Sequence, residues 1–283
     1  MTASTCAQAL ATARQLGLER LDAQLLLLHA LGKPAAARSW LLAHDTDALA
    51  QEVAHAFGGL CQRRAGGEPL AYIVGRKEFF GLSLQVDARV LVPRPDTETL
   101  VEWSLELLAL PGLPPVLDVL DLGTGSGAIA LALAHSLRAA GRNAQVTAVD
   151  FSAKALQLAR ENARQLGLAV AFIESSWLAQ VSGHFHLIAS NPPYIAHDDP
   201  HLVDLQHEPQ QALTAGPEGL DDIRCIIRQA PAHLLPGGWL LLEHGYDQAA
   251  QVREGLARQG FMQVQSRLDL AGIARCSGGQ WPA

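Results

Sequence analysis

Along the first 75 residues the apolar positions recur at helical spacing, with hardly a strand-like run. In RLDAQLLLLHALG, Leu21, Leu25 and Leu28 are spaced for one face of a helix. ALAQEVAHAFGGLCQRRAGG repeats that texture and ends in Gly66-Gly67, which predicts a helix stop. Residues 1–75 therefore read as a small helical bundle whose composition shows no chemistry. Between Gly66 and Pro95 the pattern shortens into β-prone pieces broken at Gly75 and Gly81, predicting a hairpin that links two domains over 76–95. From 96 to 283 strand-like and helix-like runs alternate. VLDVLDLG and AQVTAVD read as strands and are followed by GAIALALAHSLRAAG and SAKALQLARENARQLG as helices. AVAFIES, FHLIAS, GWLLLEHG and a final strand pair continue the series, with one helix expected over roughly 219–233 and another after the glutamate-bearing strand. Such alternation predicts an α/β domain built on a mainly parallel sheet.

Composition narrows the field of functions. Of 283 residues, 49% are apolar and 17% charged, the balance of a globular protein. The formal net charge of −7 disfavours a broad phosphate-tracking surface, because nucleic-acid affinity rests mainly on cationic contacts. No run approaches the roughly 18 uninterrupted apolar residues of a membrane span. The first basic residue is Arg14 and no apolar core follows a charged start, so neither a signal peptide nor a membrane partner is expected. Cys6, Cys61, Cys225 and Cys276 lack CxxC spacing and read as free thiols of a reducing, cytoplasmic compartment.

Two stretches carry candidate chemistry. DLGTGSG places Gly123, Thr124, Gly125, Ser126 and Gly127 between a strand and a helix, where glycines let the backbone turn tightly and approach a ligand. The spacing is neither a dinucleotide fingerprint nor a P-loop. The next strand ends in Asp150, beyond the carboxyl end of the sheet, where an acid can accept hydrogen bonds from both hydroxyls of a ribose. The plainer alternative is that the glycines form a structural turn and Asp150 caps the helix beginning at Ser152. The second stretch is SNPPYI. Proline cannot donate to a ladder and biases the preceding residue toward extended geometry, so the strand stops there and holds Asn191 just past its edge. Asn191 is either a turn-former or a gripping group. His184, His186, His197, His201 and His207 crowd this half without metal-ligand spacing or a cysteine partner, and read as solvent-facing or loop histidines with no metal.

DLGTGSGAIALALA resembles the first motif of class I S-adenosylmethionine-dependent methyltransferases, and SNPPYI resembles the fourth motif of those that methylate a planar amide or amine nitrogen. With GGEPLAYIVG, LVPRPDTETLVEW and LLLEHG, the ordered set from Gly66 to Gly245 is similar to the release-factor glutamine N5-methyltransferases, the HemK or PrmC family. That resemblance implies a Rossmann-like domain with a mainly parallel seven-stranded sheet, joined by a β-hairpin to an N-terminal helical bundle that recognises the substrate. It also implies a reaction: a methyl group moves from S-adenosylmethionine to the side-chain nitrogen of the glutamine in the GGQ loop of class 1 peptide chain release factors. Asn191, through its side-chain oxygen, and Pro192, through its carbonyl, would accept the two N–H bonds of the acceptor amide. Tyr194 would lie on its flat face, with Pro193 beside it. The cofactor would contact Gly123 to Gly127, Asp150, Trp177 and Asn191, and PRPDTE, residues 93–98, would form a pocket wall.

Three positions depart from the family pattern: Ser176 where an acid commonly precedes the tryptophan, His186 for an aspartate, and Asp96 for a glutamate. The tail CSGGQWPA contains Gly278-Gly279-Gln280, the very tripeptide this family modifies, read here as incidental. Three other readings remain: a glutamine methyltransferase of a large-subunit ribosomal protein, a methyltransferase of exocyclic amines in nucleic-acid bases, and a cofactor-binding scaffold without activity.

Overall fold

A computed structural model describes residues 5–283, which fall into two compact units that meet in the chain at Arg76 and Lys77. The first unit is helical: α1 (Cys6–Gln15), α2 (Arg20–Ala30), α3 (Arg38–Ala43), α4 (Gln51–Ala65) and α5 (Leu70–Val74). A Thr5–Gln8 capping box starts α1. The apolar face of α2 differs from the expected one. Leu21 is half exposed, whereas Ala23, Leu26, Leu27 and Leu28 are buried. α2 packs against α1, α3, α4 and α5, so neighbours cover more than one stripe and a run of leucines is buried all round. LAYIV is the second departure, since it forms α5 rather than a strand. It starts from Pro69, buries Tyr72 and Ile73 and ends on Gly75, whose φ of +72 suits a residue without Cβ.

The second unit opens with β1 (Arg76–Phe79) and β2 (Leu82–Gln85), a hairpin whose Phe79, Leu82 and Leu84 enter this unit's core. α6 (Glu98–Leu108) follows. The α/β series then runs β3 (Val116–Leu122), α7 (Ala128–Ala139), β4 (Asn143–Asp150), α8 (Ala153–Leu166), β5 (Ala171–Glu174) and β6 (Phe185–Ser190). It continues through α9 (Asp221–Gln229), β7 (Leu234–Glu243), α10 (Ala249–Gln259), β8 (Met262–Leu268) and β9 (Ala274–Gln280). Strand order across the seven-stranded sheet is β5-β4-β3-β6-β7-β9-β8. The first five pair in parallel, and β9 runs antiparallel between β7 and β8. This is a Rossmann-like sheet.

Both faces of the sheet are covered, which is why its central strands read as nearly continuous apolar runs. In β3, Leu117 and Val119 join the core shared with α6 and α7, while Leu120 and Leu122 join the one shared with α9 and α10. Chain order leaves β3 toward β4 on one side and returns as β6 on the other. The carboxyl ends of β3, β4 and β6 therefore flank the switch point, where open α/β sheets bind ligands.

The tail tripeptide lies inside this sheet. Gly278 and Gly279 are buried in β9, where a Cβ would stand 2.4 Å from Leu241 Cδ2 and 2.8 Å from Phe261 Cβ respectively. Gln280 Nε2 donates to the Gly237 carbonyl at 2.9 Å. The glycines are there because neighbouring strands and the helix-side core leave no room for a side chain.

Candidate functional site

A cavity of about 360 Å³ opens at the switch point, within the size range of small-ligand sites. The 123–127 loop forms its floor. Thr124 N–H donates to the Val149 carbonyl and Gly127 N–H to the Thr124 carbonyl, which curls the loop into a tight turn. Gly123 has φ +71, and a Cβ there would meet the Trp177 ring at 3.4 Å. Gly127 starts α7 at φ +87, where a Cβ would press Leu131 Cδ1 at 2.9 Å.

Three side chains hold the loop from behind. Asp121 is buried; its Oδ2 accepts from Thr124 Oγ1 at 2.6 Å and from Ala130 N at 3.1 Å, while its Oδ1 has no partner. Burial pushes the Asp121 carboxyl up to about 7. Asn162, on α8, donates to the carbonyls of Ser126 and Gln85 and accepts from Gln85 N–H, tying the loop to the hairpin. Asp150 accepts from Gly125 N–H and Ser152 N–H, each at 2.8 Å. The cap of α8 is Ser152, whose Oγ accepts from Ala155 N–H, so Asp150 braces the loop and is not the cap. Burial raises its pKa. With Phe151 N–H also acting on it, the carboxylate still retains acceptor capacity, and Asp150 lines the cavity.

Trp177 sits at φ +50, a costly position for a side-chain-bearing residue. Its Nε1 donates to Asp222 Oδ1 at 3.0 Å, and its ring packs toward the α9/α10 core while lining the cavity. Phe151, next to Asp150, lines the same cavity yet is 71% exposed, an apolar ring that a flat ligand could cover. Ser176 also lines it.

Beside the loop stands the end of β6. Ser190 Oγ donates to the Leu122 carbonyl at 2.7 Å and binds the tips of β6 and β3 together. Asn191 then faces the cavity, and its Nδ2 donates to Thr97 Oγ1 at 3.1 Å, which leaves Oδ1 as the free end of the carboxamide. Thr97 in turn lies beside Glu243, a buried acid at the end of β7, and favours its charged form. The Tyr194 hydroxyl donates to Glu243 Oε1 at 3.4 Å. Burial pushes the Glu243 carboxyl up to about 7 and raises the Tyr194 phenol. Beyond Tyr194, Gln248 Nε2 donates to the Tyr194 carbonyl, and Gly219 packs so closely that a Cβ would lie 2.1 Å from that oxygen. Nearby, Arg94 pairs with Glu208, which also accepts from Val92 N–H.

The expected residues are thus partly assembled. Gly123, Thr124, Gly125, Ser126, Asp150, Trp177, Asn191 and Pro193 line the cavity, as do Pro93, Arg94 and Thr97 of PRPDTE. Gly127 lies beneath it as the start of α7. Pro192 and Tyr194 lie outside the lining: Pro192 is buried, and the Tyr194 ring packs toward the α9/α10 core with its hydroxyl turned to Glu243. Asp96 faces Arg275 at 3.4 Å, and His186 Nδ1 accepts from Asp118 N–H at 2.9 Å, so both departures have partners. His201 pairs with Asp199 and His197 accepts from Gly216 N–H. Among the described residues no three potential ligands converge on a metal position. Sequence reasoning placed Thr97 only within the PRPDTE wall and gave no role to Asp121, Glu243, Phe151 or Asp222. Asp121 and Glu243 carried a signal, an acid at the carboxyl end of an otherwise apolar run, which burial makes expensive unless the site uses it.

Residues 4–75 match the family described as PrmC N-terminal domain, and residues 106–253 match Methyltransferase small domain. A release factor glutamine methyltransferase of Pseudomonas aeruginosa is 49% identical over 266 residues, covering 93% of this chain and 92% of that protein. One from Bordetella pertussis is 46% identical over 267 residues, covering 93% and 95%. Among solved structures, a methyltransferase from Pyrococcus furiosus aligns with a TM-score of 0.51 at 20% identity, over 72% of this chain and 91% of that one, a likeness of fold. A cavity at the switch point of a Rossmann-like sheet and relatives matched over nearly their whole length agree: the chain belongs to the release factor glutamine methyltransferases, a family of S-adenosylmethionine-dependent enzymes.

Proposed function

We propose that this enzyme transfers a methyl group from S-adenosylmethionine to the side-chain amide nitrogen of the glutamine in the GGQ loop of peptide chain release factors. One observation carries the reading: Asn191 lines the cavity with its carboxamide nitrogen taken by Thr97, so that the oxygen is the free end of the group.

The residues present fit the cofactor. The loop leaves a cradle at Gly123 that a Cβ would fill. Asp150 has spare acceptor capacity for ribose hydroxyls, and Phe151 and Trp177 offer apolar faces. When bound, S-adenosylmethionine supplies an electrophilic methyl on a sulfonium. The protein's own task is to orient a poor nucleophile, an amide nitrogen whose lone pair is delocalised into its carbonyl. Asn191 Oδ1 accepts one N–H of that amide and the Pro192 carbonyl the other. These acceptors aim the lone pair and stabilise the positive charge that grows on nitrogen. The Pro192 ring keeps that carbonyl out of a ladder. No general base is needed first, because the amide keeps its proton until the methyl has arrived.

The decisive experiment is transfer of labelled methyl to a release factor, its glutamine-substituted variant, ribosomal proteins and RNA. Label on the release factor alone, abolished by substituting the glutamine, supports the proposal. Label on a ribosomal protein or RNA instead overturns it. A bacterial cytoplasmic location accompanies this substrate; among the described residues no helix is long and apolar enough to cross a membrane.

A further inference from the structure

The proposed grip works only with the Asn191 carboxamide one way round. Rotated by half a turn it fills the same space but presents N–H groups, which would face the N–H groups of the acceptor. What sets the orientation therefore decides whether the site works.

The setting runs through two further residues, Thr97 and Glu243. Thr97 is buried and its hydroxyl carries a single hydrogen. Thr97 lies close enough to Glu243 for its hydroxyl to favour the ionised carboxylate, and we assign that hydrogen to the carboxylate, which when ionised can only accept. The oxygen of Thr97 is left with lone pairs toward Asn191, 3.1 Å away, and only the NH₂ end of the carboxamide satisfies them. The second donor on Glu243, the Tyr194 hydroxyl, likewise spends its hydrogen on the carboxylate. Glu243 Oε2 is buried without a partner, an unusual cost for a group whose only duty is structural.

We propose that Glu243, acting through Thr97, is the positioning residue that locks the Asn191 oxygen toward the acceptor amide, and that its ionised form is the working one. This rests on the reading of Asn191 as the grip. With Glu243 protonated the hydrogens redistribute. The acid hydrogen goes to Thr97 Oγ1, the hydroxyl hydrogen is free to meet Asn191 Oδ1, and the carboxamide turns over. Both forms fall in the assay range, since burial pushes the Glu243 carboxyl up to about 7. Its charged and titratable surroundings come from four elements. Arg275 on β9 favours the charge, and Asp96 in the turn before α6 opposes it. The Tyr194 phenol and the Cys276 thiol on β9 are both raised and stay neutral, with Arg94 acting on Tyr194. His244, next in sequence, has its pKa lowered, first by burial.

The test measures kcat for methyl transfer to a release factor between pH 5.5 and 9, with cofactor affinity and thermal midpoint measured for each protein. The unaltered enzyme should lose about tenfold per pH unit below about 7. Thr97→Val should lower kcat by about 10- to 100-fold with cofactor affinity unchanged, and Thr97→Ser, which keeps the hydroxyl, should restore both rate and profile. Glu243→Gln should lower kcat and abolish the acid limb. Thr97→Val with kcat within twofold of the unaltered enzyme, or an acid limb that survives in Glu243→Gln, overturns the proposal. Asn191→Ala separates the two levels: normal turnover there removes the grip itself, whereas loss there beside an unaffected Thr97→Val removes only the positioning role.

Discussion

The two walls of the cavity are built on different principles. On the glycine-loop side the backbone does the work: positive φ at Gly123, Gly125 and Gly127 brings N–H groups and bare Cα atoms to the surface, held by Asp121, Asn162 and Asp150. On the Asn191 side one carboxamide does the work, and its direction depends on Thr97 and Glu243, 94 and 52 residues away along the chain. A backbone cradle tolerates little change but needs little from outside. A side-chain grip is chemically sharper, yet it can be undone from a distance.

The largest expected effect breaks the grip and spares the cradle. Asn191→Ala should cut turnover by about 10²- to 10³-fold, the usual loss of one charge-stabilising partner, with the cofactor dissociation constant unchanged. Equilibrium binding beside single-turnover rates measures both, and near-normal turnover would collapse the distinction between the walls. Next comes Asp150→Ala, which removes the acceptor of Gly125 N–H and the proposed ribose partner. It should weaken cofactor binding by about 10- to 100-fold, as for hydrogen bonds to a charged group, and leave kcat at saturation nearly intact. Gly123→Ala fills the cradle against Trp177 at a strained φ and should weaken binding by about tenfold, since strain of that kind costs about 1–3 kcal/mol. An unchanged dissociation constant in either variant counts against the cradle.

The smallest effect concerns pH and stability. Asp121 has a folded-state pKa raised to about 7, above its unfolded value, so its contribution is fully present below about pH 4 and is lost as pH rises toward 7. Asp121→Asn keeps an acceptor for Thr124 and Ala130 and removes that titration. Denaturant unfolding between pH 4 and 7 should show a slope flatter by up to about 1.4 kcal/mol per pH unit, while Glu243 keeps a slope of the same sign. An unaltered slope would mean that Asp121 is ionised in the folded loop.

The same contrast shows how far the chain could be read directly. Loop, strand ends and their order were legible, because glycine spacing, proline and apolar runs act through local backbone geometry. The α2 face and α5 were misjudged for the opposite reason. In α2, surrounding helices bury consecutive leucines, and in α5 a β-prone pentapeptide is helical because that buries Tyr72 and Ile73 and suits the left-handed Gly75. That the Tyr194 ring packs toward the α9/α10 core was not legible either, for no local rule says which way a ring beyond a sheet edge will fold.

From the residues in their order came the α/β alternation, the glycine turn and the placing of Asn191 past a strand end, since each follows from what one short segment can adopt. Only the folded chain decided that Thr97 and Glu243 meet behind that asparagine, that Asp150 braces the loop, and that Gly278 and Gly279 are strand residues. Those contacts join segments far apart in sequence, and burial, which sets their hydrogen bonds and raised pKa values, exists only once the sheet has closed around them.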